Sequence, residues 1–186
     1  GYNVAKFYDS PADDHFAAAP RYGKLYGPGF TMEARTFNEV HAYATAGGLD
    51  VAKVYDSPGN DRFGATPIEA SLFGDGYYNR IKFFEAVHAY ANAGGIDEAR
   101  LTDSAGNDKL FASPVEASLY GDGFYNRAKN FDGVFAYAVN GGIDEGKMFD
   151  SAGNDQLVTS STYAALYGDG FYNRAMHFDG IHASAT

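Results

Sequence analysis

From Val51 onward, small or apolar side chains alternate with polar or bulky ones in short runs, and each run stops at a turn signal. Ala52, Val54 and Asp56 alternate with Lys53 and Tyr55 until Pro58-Gly59-Asn60. Arg62 to Thr66 follows and stops at Pro67. Ala70, Leu72 and Gly74 alternate with Ser71 and Phe73 as far as Asp75-Gly76, and Tyr77 to Phe84 comes next. Val87, Ala89, Ala91 and Ala93 then alternate with His88, Tyr90 and Asn92 up to Gly94-Gly95. Period two is the spacing of a strand with one face turned inward, and Gly, Pro and Asn supply the conformations that end one. The pattern predicts an all-β chain.

The cycle takes 47 residues and then begins again, with starts at Val4, Val51, Glu98 and Glu145. The chain therefore reads as a single repeat domain, 1–186, of four units: 1–47, 48–94, 95–141 and 142–186. Asp9, Asp56, Asp103 and Asp150 are one identical position; Asp14, Asp61, Asp108 and Asp155 are another. Gly27, Gly74, Gly121 and Gly168 are a third. The register never slips, as in a stacked solenoid, where an insertion would break the ladder with the neighbouring coil. Each unit divides into about two coils of roughly 23 residues, which predicts a right-handed parallel β-helix. Gly1 matches Gly48 and Thr186 matches Thr45. That placement predicts a segment of a longer array, or a block that stacks end to end, because an uncapped solenoid exposes its core and its strand edges.

An α/β repeat array is the rival reading. Ser113-Pro114-Val115-Glu116 has the form of a capping box with Pro at the first helical position. Ala128, Phe131, Val134, Phe135 and Ala138 follow at near-helical spacing, with Gly141-Gly142 as a C-cap. Against it, Gly133 and Gly180 would fall in mid-helix at about 1 kcal/mol each relative to Ala.

At 45% hydrophobic, the 186 residues can bury a core. The net charge of −10 with only 14 Lys and Arg argues against nucleic acid and against an anionic membrane surface as partners. No run approaches the roughly 18 apolar residues of a membrane-spanning helix, so no membrane insertion is expected. No basic-then-apolar signal peptide follows Gly1. The absence of Cys removes disulfides and thiolate metal sites without fixing a compartment.

Segments of the types Tyr-Asp-Ser-x-Gly-Asn-Asp and Ala-Tyr-Ala-x-Ala-Gly-Gly alternate along the chain. The units resemble the tandem repeats of large secreted bacterial surface proteins, and the resemblance implies an extracellular or cell-surface location. A narrower part, Asp103 to Phe111, resembles the calcium-binding nonapeptide turns of RTX β-rolls at Gly106, Asp108 and Leu110, and departs from them where Asp103 and Ser104 replace two glycines. Independently of that likeness, the turns gather oxygens of the kind that Ca²⁺ takes. The candidate metal ligands are Asp56, Asn60 and Asp61; Asp103, Asn107 and Asp108; and Asp150, Asn154 and Asp155. The competing reading is structural, since Asp, Asn and Ser also hydrogen-bond their own backbone in turns. Calcium is the one candidate cofactor.

His41, His88 and His182 recur at one position beside Tyr43, Tyr90 and Tyr137. They are expected on one face, about 9–10 Å apart from unit to unit, which is too far for two to share a metal. Such an aromatic face suits sugars or another protein. Arg80, Arg127 and Arg174 are expected to pair with acids of neighbouring coils. No nucleophile elbow, phosphate loop or zinc-protease motif is present, so no enzyme is expected. The primary expectation is an extracellular structural repeat protein: a spacer, stalk, surface-layer or filament component whose partners are further copies or neighbouring repeats. The other expectation is a glycan- or protein-binding module built on the Tyr/His face.

Overall fold

Alternation along the chain is converted into two β-sheets, described for residues 1–185 in a computed structural model. Every unit supplies five strands. Unit 1 contains β1 (Val4–Tyr8), β2 (His15–Ala19), β3 (Tyr22–Gly27), β4 (Phe30–Arg35) and β5 (Glu39–Tyr43). Unit 2 contains β6 (Val51–Tyr55), β7 (Arg62–Ala65), β8 (Glu69–Gly74), β9 (Tyr77–Lys82) and β10 (Ala86–Tyr90). Unit 3 contains β11 (Glu98–Thr102), β12 (Lys109–Ala112), β13 (Glu116–Gly121), β14 (Phe124–Lys129) and β15 (Gly133–Tyr137). Unit 4 contains β16 (Glu145–Phe149), β17 (Gln156–Thr159), β18 (Tyr163–Gly168), β19 (Phe171–Met176) and β20 (Gly180–Ser184). Among the described residues there is no helix.

Each sheet has ten strands, in the orders β1-β5-β9-β8-β7-β11-β15-β19-β18-β17 and β20-β16-β12-β13-β14-β10-β6-β2-β3-β4. Contacts between coils are parallel, as in β6 with β10 and β7 with β11. The chain is thus an all-β solenoid of stacked parallel coils. The middle three strands of each unit form an antiparallel meander, for example β7-β8-β9, which a purely parallel helix would not contain. The outer two strands of a unit lie side by side in the other sheet.

One coil parameter differs from the sequence expectation. A unit passes between the sheets three times, so it makes one and a half turns rather than two. Consecutive units therefore exchange sheets: the meanders of units 1 and 3 lie in one sheet and those of units 2 and 4 in the other. With strands about 4.8 Å apart, five strands shared between two sheets advance the solenoid by about 12 Å per unit.

Inward positions are the small and aliphatic ones that the alternation marks. Ala52 and Val54, Ala70 and Leu72, and Val87 and Ala89 are all buried between the sheets. Phenylalanines seal the core, with Phe16 against Phe84 and Phe63 against Phe131 at ring separations of 6.2 and 6.0 Å. The segment that resembles a capping box is instead a tight connection into β13, where the Ser113 amide donates to the Glu116 carbonyl at 2.8 Å. Gly133 and Gly180, awkward in a helix, are the first residues of β15 and β20.

Candidate functional site

All the aspartates lie in turns and none in a strand. Apart from Asp75, Asp122 and Asp169 in the meander hairpins, they collect where one unit meets the next, and most of these place an oxygen on a backbone N–H that the turns leave without a ladder partner. At the junction of units 2 and 3, Asp56 accepts the Ala93 amide at 2.8 Å and Asp61 accepts the Ser57 amide at 2.7 Å. The Asp61 amide donates to Asp97 of the next unit at 2.7 Å, and the Asp97 amide donates to Asp132 at 2.8 Å. The same chain runs from Asp14 to Asp50 to Glu85 and from Asp108 to Asp144 to Asp179. A second link spans 60 residues: the Asn79, Asn126 and Asn173 side-chain amides donate to the carbonyls of Ala19, Thr66 and Ser113 at 2.8–3.1 Å.

The carboxylate oxygens of Asp103, Asp108 and Asp144 lie within 4.8 Å of one another, as do those of Asp9, Asp14 and Asp50. The expected ligand sets change accordingly. Asp103 and Asp108 do come together, but the third acid, Asp144, arrives from the following unit and sequence spacing does not reveal it. Asn60 and Asn107 are already engaged as acceptors of the Ile96 and Ile143 amides at 2.9 and 2.8 Å. In unit 4, Asp155 accepts the Ser151 amide at 2.9 Å. Among the described residues Asn154 has no hydrogen-bonded partner; its equivalents Asn60 and Asn107 accept amides of the following unit.

These clusters contain no Lys or Arg, and burial dominates their acid–base behaviour. Burial pushes the carboxyls of Asp50 and Asp97 up to about 6, against hydrogen bonds from the Asp14 and Asp61 amides that pull them down. Asp144 is raised for the same reason. Burial and the hydrogen bond to Asp61 raise the Tyr77 hydroxyl far above its ordinary range, so it stays a donor, at 2.8 Å from Asp61 Oδ1. Phe30, Phe124 and Phe171 replace that tyrosine in the other three units; Ser104 Oγ donates to Asp108 Oδ1 at 3.1 Å, while among the described residues Asp14 Oδ1 and Asp155 Oδ1 are buried without a hydrogen-bond partner.

The expected single Tyr/His face is in fact two opposite faces, because consecutive units exchange sheets. His41, Tyr43 and Tyr137 lie on one sheet, on β5 and β15; His88, Tyr90 and His182 lie on the other, on β10 and β20. On these faces the tyrosines stack within a unit, Tyr43 on Tyr8 and Tyr90 on Tyr55, each at 5.2 Å, while His41 and His88 meet Tyr78 and Tyr125 of the following unit. His41 bonds Glu39 at 2.8 Å. Burial lowers the His88 ring below the usual imidazole range, with Arg127 and Lys53 adding to the effect. The arginines also pair differently than expected. Arg80 and Arg127 bind Glu69 and Glu116 of their own meanders, and Arg174 lies 4.3 Å over Tyr163, which stands where the other two have Glu.

No family model, no curated protein and no solved structure matches the chain.

Proposed function

We propose that the chain is a non-catalytic structural spacer of an extracellular or cell-surface assembly, extended by stacking further copies or further units on its ends. The observation that carries this reading is the unit junction, which recurs three times with the same aspartate chain and the same asparagine link. Such a contact adds length without limit at constant cost per unit. Four strands are left with one unpaired edge, β1 and β4 at one end and β17 and β20 at the other. At the second end Leu157 is 49% exposed, whereas its equivalents Phe16, Phe63 and Leu110 are at most 4% exposed. The resemblance of the units to repeats of secreted bacterial surface proteins supports the location.

Electron microscopy and sedimentation velocity across a concentration series test it. Rods that lengthen in steps of about 5 nm, the height of ten strands, are expected, with more salt strengthening association by screening the charge of −10. Ala183→Pro, which removes an N–H donor from the β20 edge, is expected to shorten them. A strictly monomeric wild type at every concentration and salt level sinks the stacking reading.

A calcium-stabilised spacer is the second reading, favoured by the carboxylate clusters of Asp9, Asp14 and Asp50 and of Asp103, Asp108 and Asp144. Calcium bound only to the folded state at a hundred times its Kd adds about 2.7 kcal/mol. A melting temperature that is the same in chelator and in millimolar Ca²⁺ leaves the acids as backbone caps alone.

A further inference from the structure

The four units are close copies, so a place where one unit breaks the pattern without a structural reason is informative. Gly64 is such a place. It sits in the interior of β7 on the outer face of its sheet, at the position held by Ala17, Phe111 and Val158 in the other units. Glycine in a strand costs roughly 0.5–1 kcal/mol relative to alanine. Other mid-strand glycines have a packing reason: a Cβ on Gly23 would lie 2.4 Å from Val40, and one on Gly146 would lie 2.5 Å from Ile181. A Cβ on Gly64 would meet only Ser71 Oγ, at 4.0 Å, and its φ is not left-handed. Neither space nor backbone conformation demands glycine there. Close approach of a ligand to the backbone is one of the uses of an interior strand glycine.

The missing side chain opens a depression lined by Arg62, Phe63, Phe73, Glu98 and Arg100. It continues along β8 past Ser71 and Thr66. Arg100 is the cross-strand partner of Gly64, and Arg62 precedes Gly64 by two residues on the same face. Both guanidiniums are exposed, and among the described residues neither enters an ion pair. Equivalent positions hold His15, Lys109 and Gln156 for Arg62, and Lys6, Lys53 and Lys147 for Arg100, so two arginines flank this position only here. Phe73, opposite Arg62, forms an aromatic shelf with Tyr78 at 5.8 Å. Of the nearby acids, Glu69 is engaged by Arg80 and Lys82 at 2.9 and 3.3 Å, while Glu98 stands across the strand from Arg62 and, among the described residues, enters no ion pair.

We propose that this depression is a binding site for an acidic sugar chain, one whose residues carry carboxylates. Arg62 and Arg100 supply planar forks for a sugar carboxylate. Phe73 supplies a surface for the apolar face of a pyranose ring. Ser71 and Glu98 supply a donor and acceptors for hydroxyls. An acidic peptide fits less well, because β7, β8 and β11 are paired on both sides and offer no edge for strand addition. The site stands whether or not the units stack.

The test is an amide-resolved NMR titration of the whole chain with trigalacturonate at low ionic strength. Neutral maltotriose and hexaglutamate serve as parallel probes. Saturable shifts confined to residues around Gly64, Phe73 and Arg100 are expected with trigalacturonate, and markedly weaker ones with the other two. Arg100→Gln is expected to weaken binding by about tenfold or more, the scale of a lost charge-assisted contact. Gly64→Phe is expected to abolish it while leaving the melting temperature near wild type, since unit 3 carries Phe111 at the same register. No saturable binding, shifts elsewhere, binding untouched by Gly64→Phe, or hexaglutamate binding as tightly as the sugar would each overturn the proposal.

Discussion

Glycines that look alike in the sequence do different work at the residue scale. In Gly-x-Gly of each meander, the second glycine, such as Gly76, takes a left-handed φ of +75° and turns the hairpin. The first, Gly74, does not. A Cβ there would sit 1.8 Å from Asp61 Oδ1, so the residue is glycine because a buried carboxylate lies against it. The same approach recurs at Gly27, Gly121 and Gly168. Gly74→Ala is therefore expected to cost about 2–3 kcal/mol, the upper range of overpacking in a tight interior. Chemical denaturation checks this, and the cost is expected to shrink in an Asp61→Ser background, where the colliding oxygen is gone. An equal cost in both backgrounds would show that the carboxylate is not the cause.

At the scale of the element, strands carry the apolar alternation and turns carry the aspartates. Because burial raises Asp50 and Asp97 to about 6, the folded chain binds protons that the unfolded chain releases at about 4. Their contribution is present in full below the unfolded value and is lost as pH rises through about 6. The Glu69 carboxyl runs the other way. Its hydrogen bond to Arg80 lowers it, so its contribution holds above its unfolded value and fades only in stronger acid. Stability is thus expected to rise between pH 7 and pH 5 by about 1 kcal/mol per buried aspartate. Asp97→Asn keeps an acceptor for the Asp61 amide and removes the charge. Thermal melts across this range are expected to show the variant less pH-dependent and more stable at pH 7. A flat wild-type profile would contradict the role of burial.

For the whole molecule, three passes per unit decide the geometry. An odd number of passes swaps the sheets from unit to unit, gives the solenoid two similar outer faces, and divides the Tyr/His positions between them. The ends are not equivalent either. Unit 1 has Thr31-Met32-Glu33 on its edge strand β4, where the other units have Asn79, Asn126 or Asn173 reaching back 60 residues. Met32 is 39% exposed, while those asparagines are buried. In a head-to-tail pair, the Ser160 carbonyl would face Met32 in place of the amide that internal junctions provide. Met32→Asn is expected to tighten association by about fivefold, the worth of one hydrogen bond near 1 kcal/mol. Sedimentation equilibrium measures it, and weaker association in the variant would argue that β4 does not meet a second copy in this way.

The local pattern determined the strands, their inward residues and the repeat length. Period-two burial and turn chemistry are properties of neighbouring residues, and a register unbroken over four copies demands a stack. Tertiary structure alone decided the meander and its antiparallel pairing, since Asp75-Gly76 ends a run in the same way whether the next strand folds back or moves on to another coil. It also decided which acids meet. Asp56 and Asp61 are legible as a pair within one turn, but Asp97 lies 36 residues beyond Asp61 and arrives only because the solenoid brings consecutive units into contact. The two faces of the Tyr/His positions were hidden for the same reason. Spacing by whole units fixes a side chain's place in its own unit, and the parity of sheet crossings, which no local signal encodes, fixes which way that unit faces.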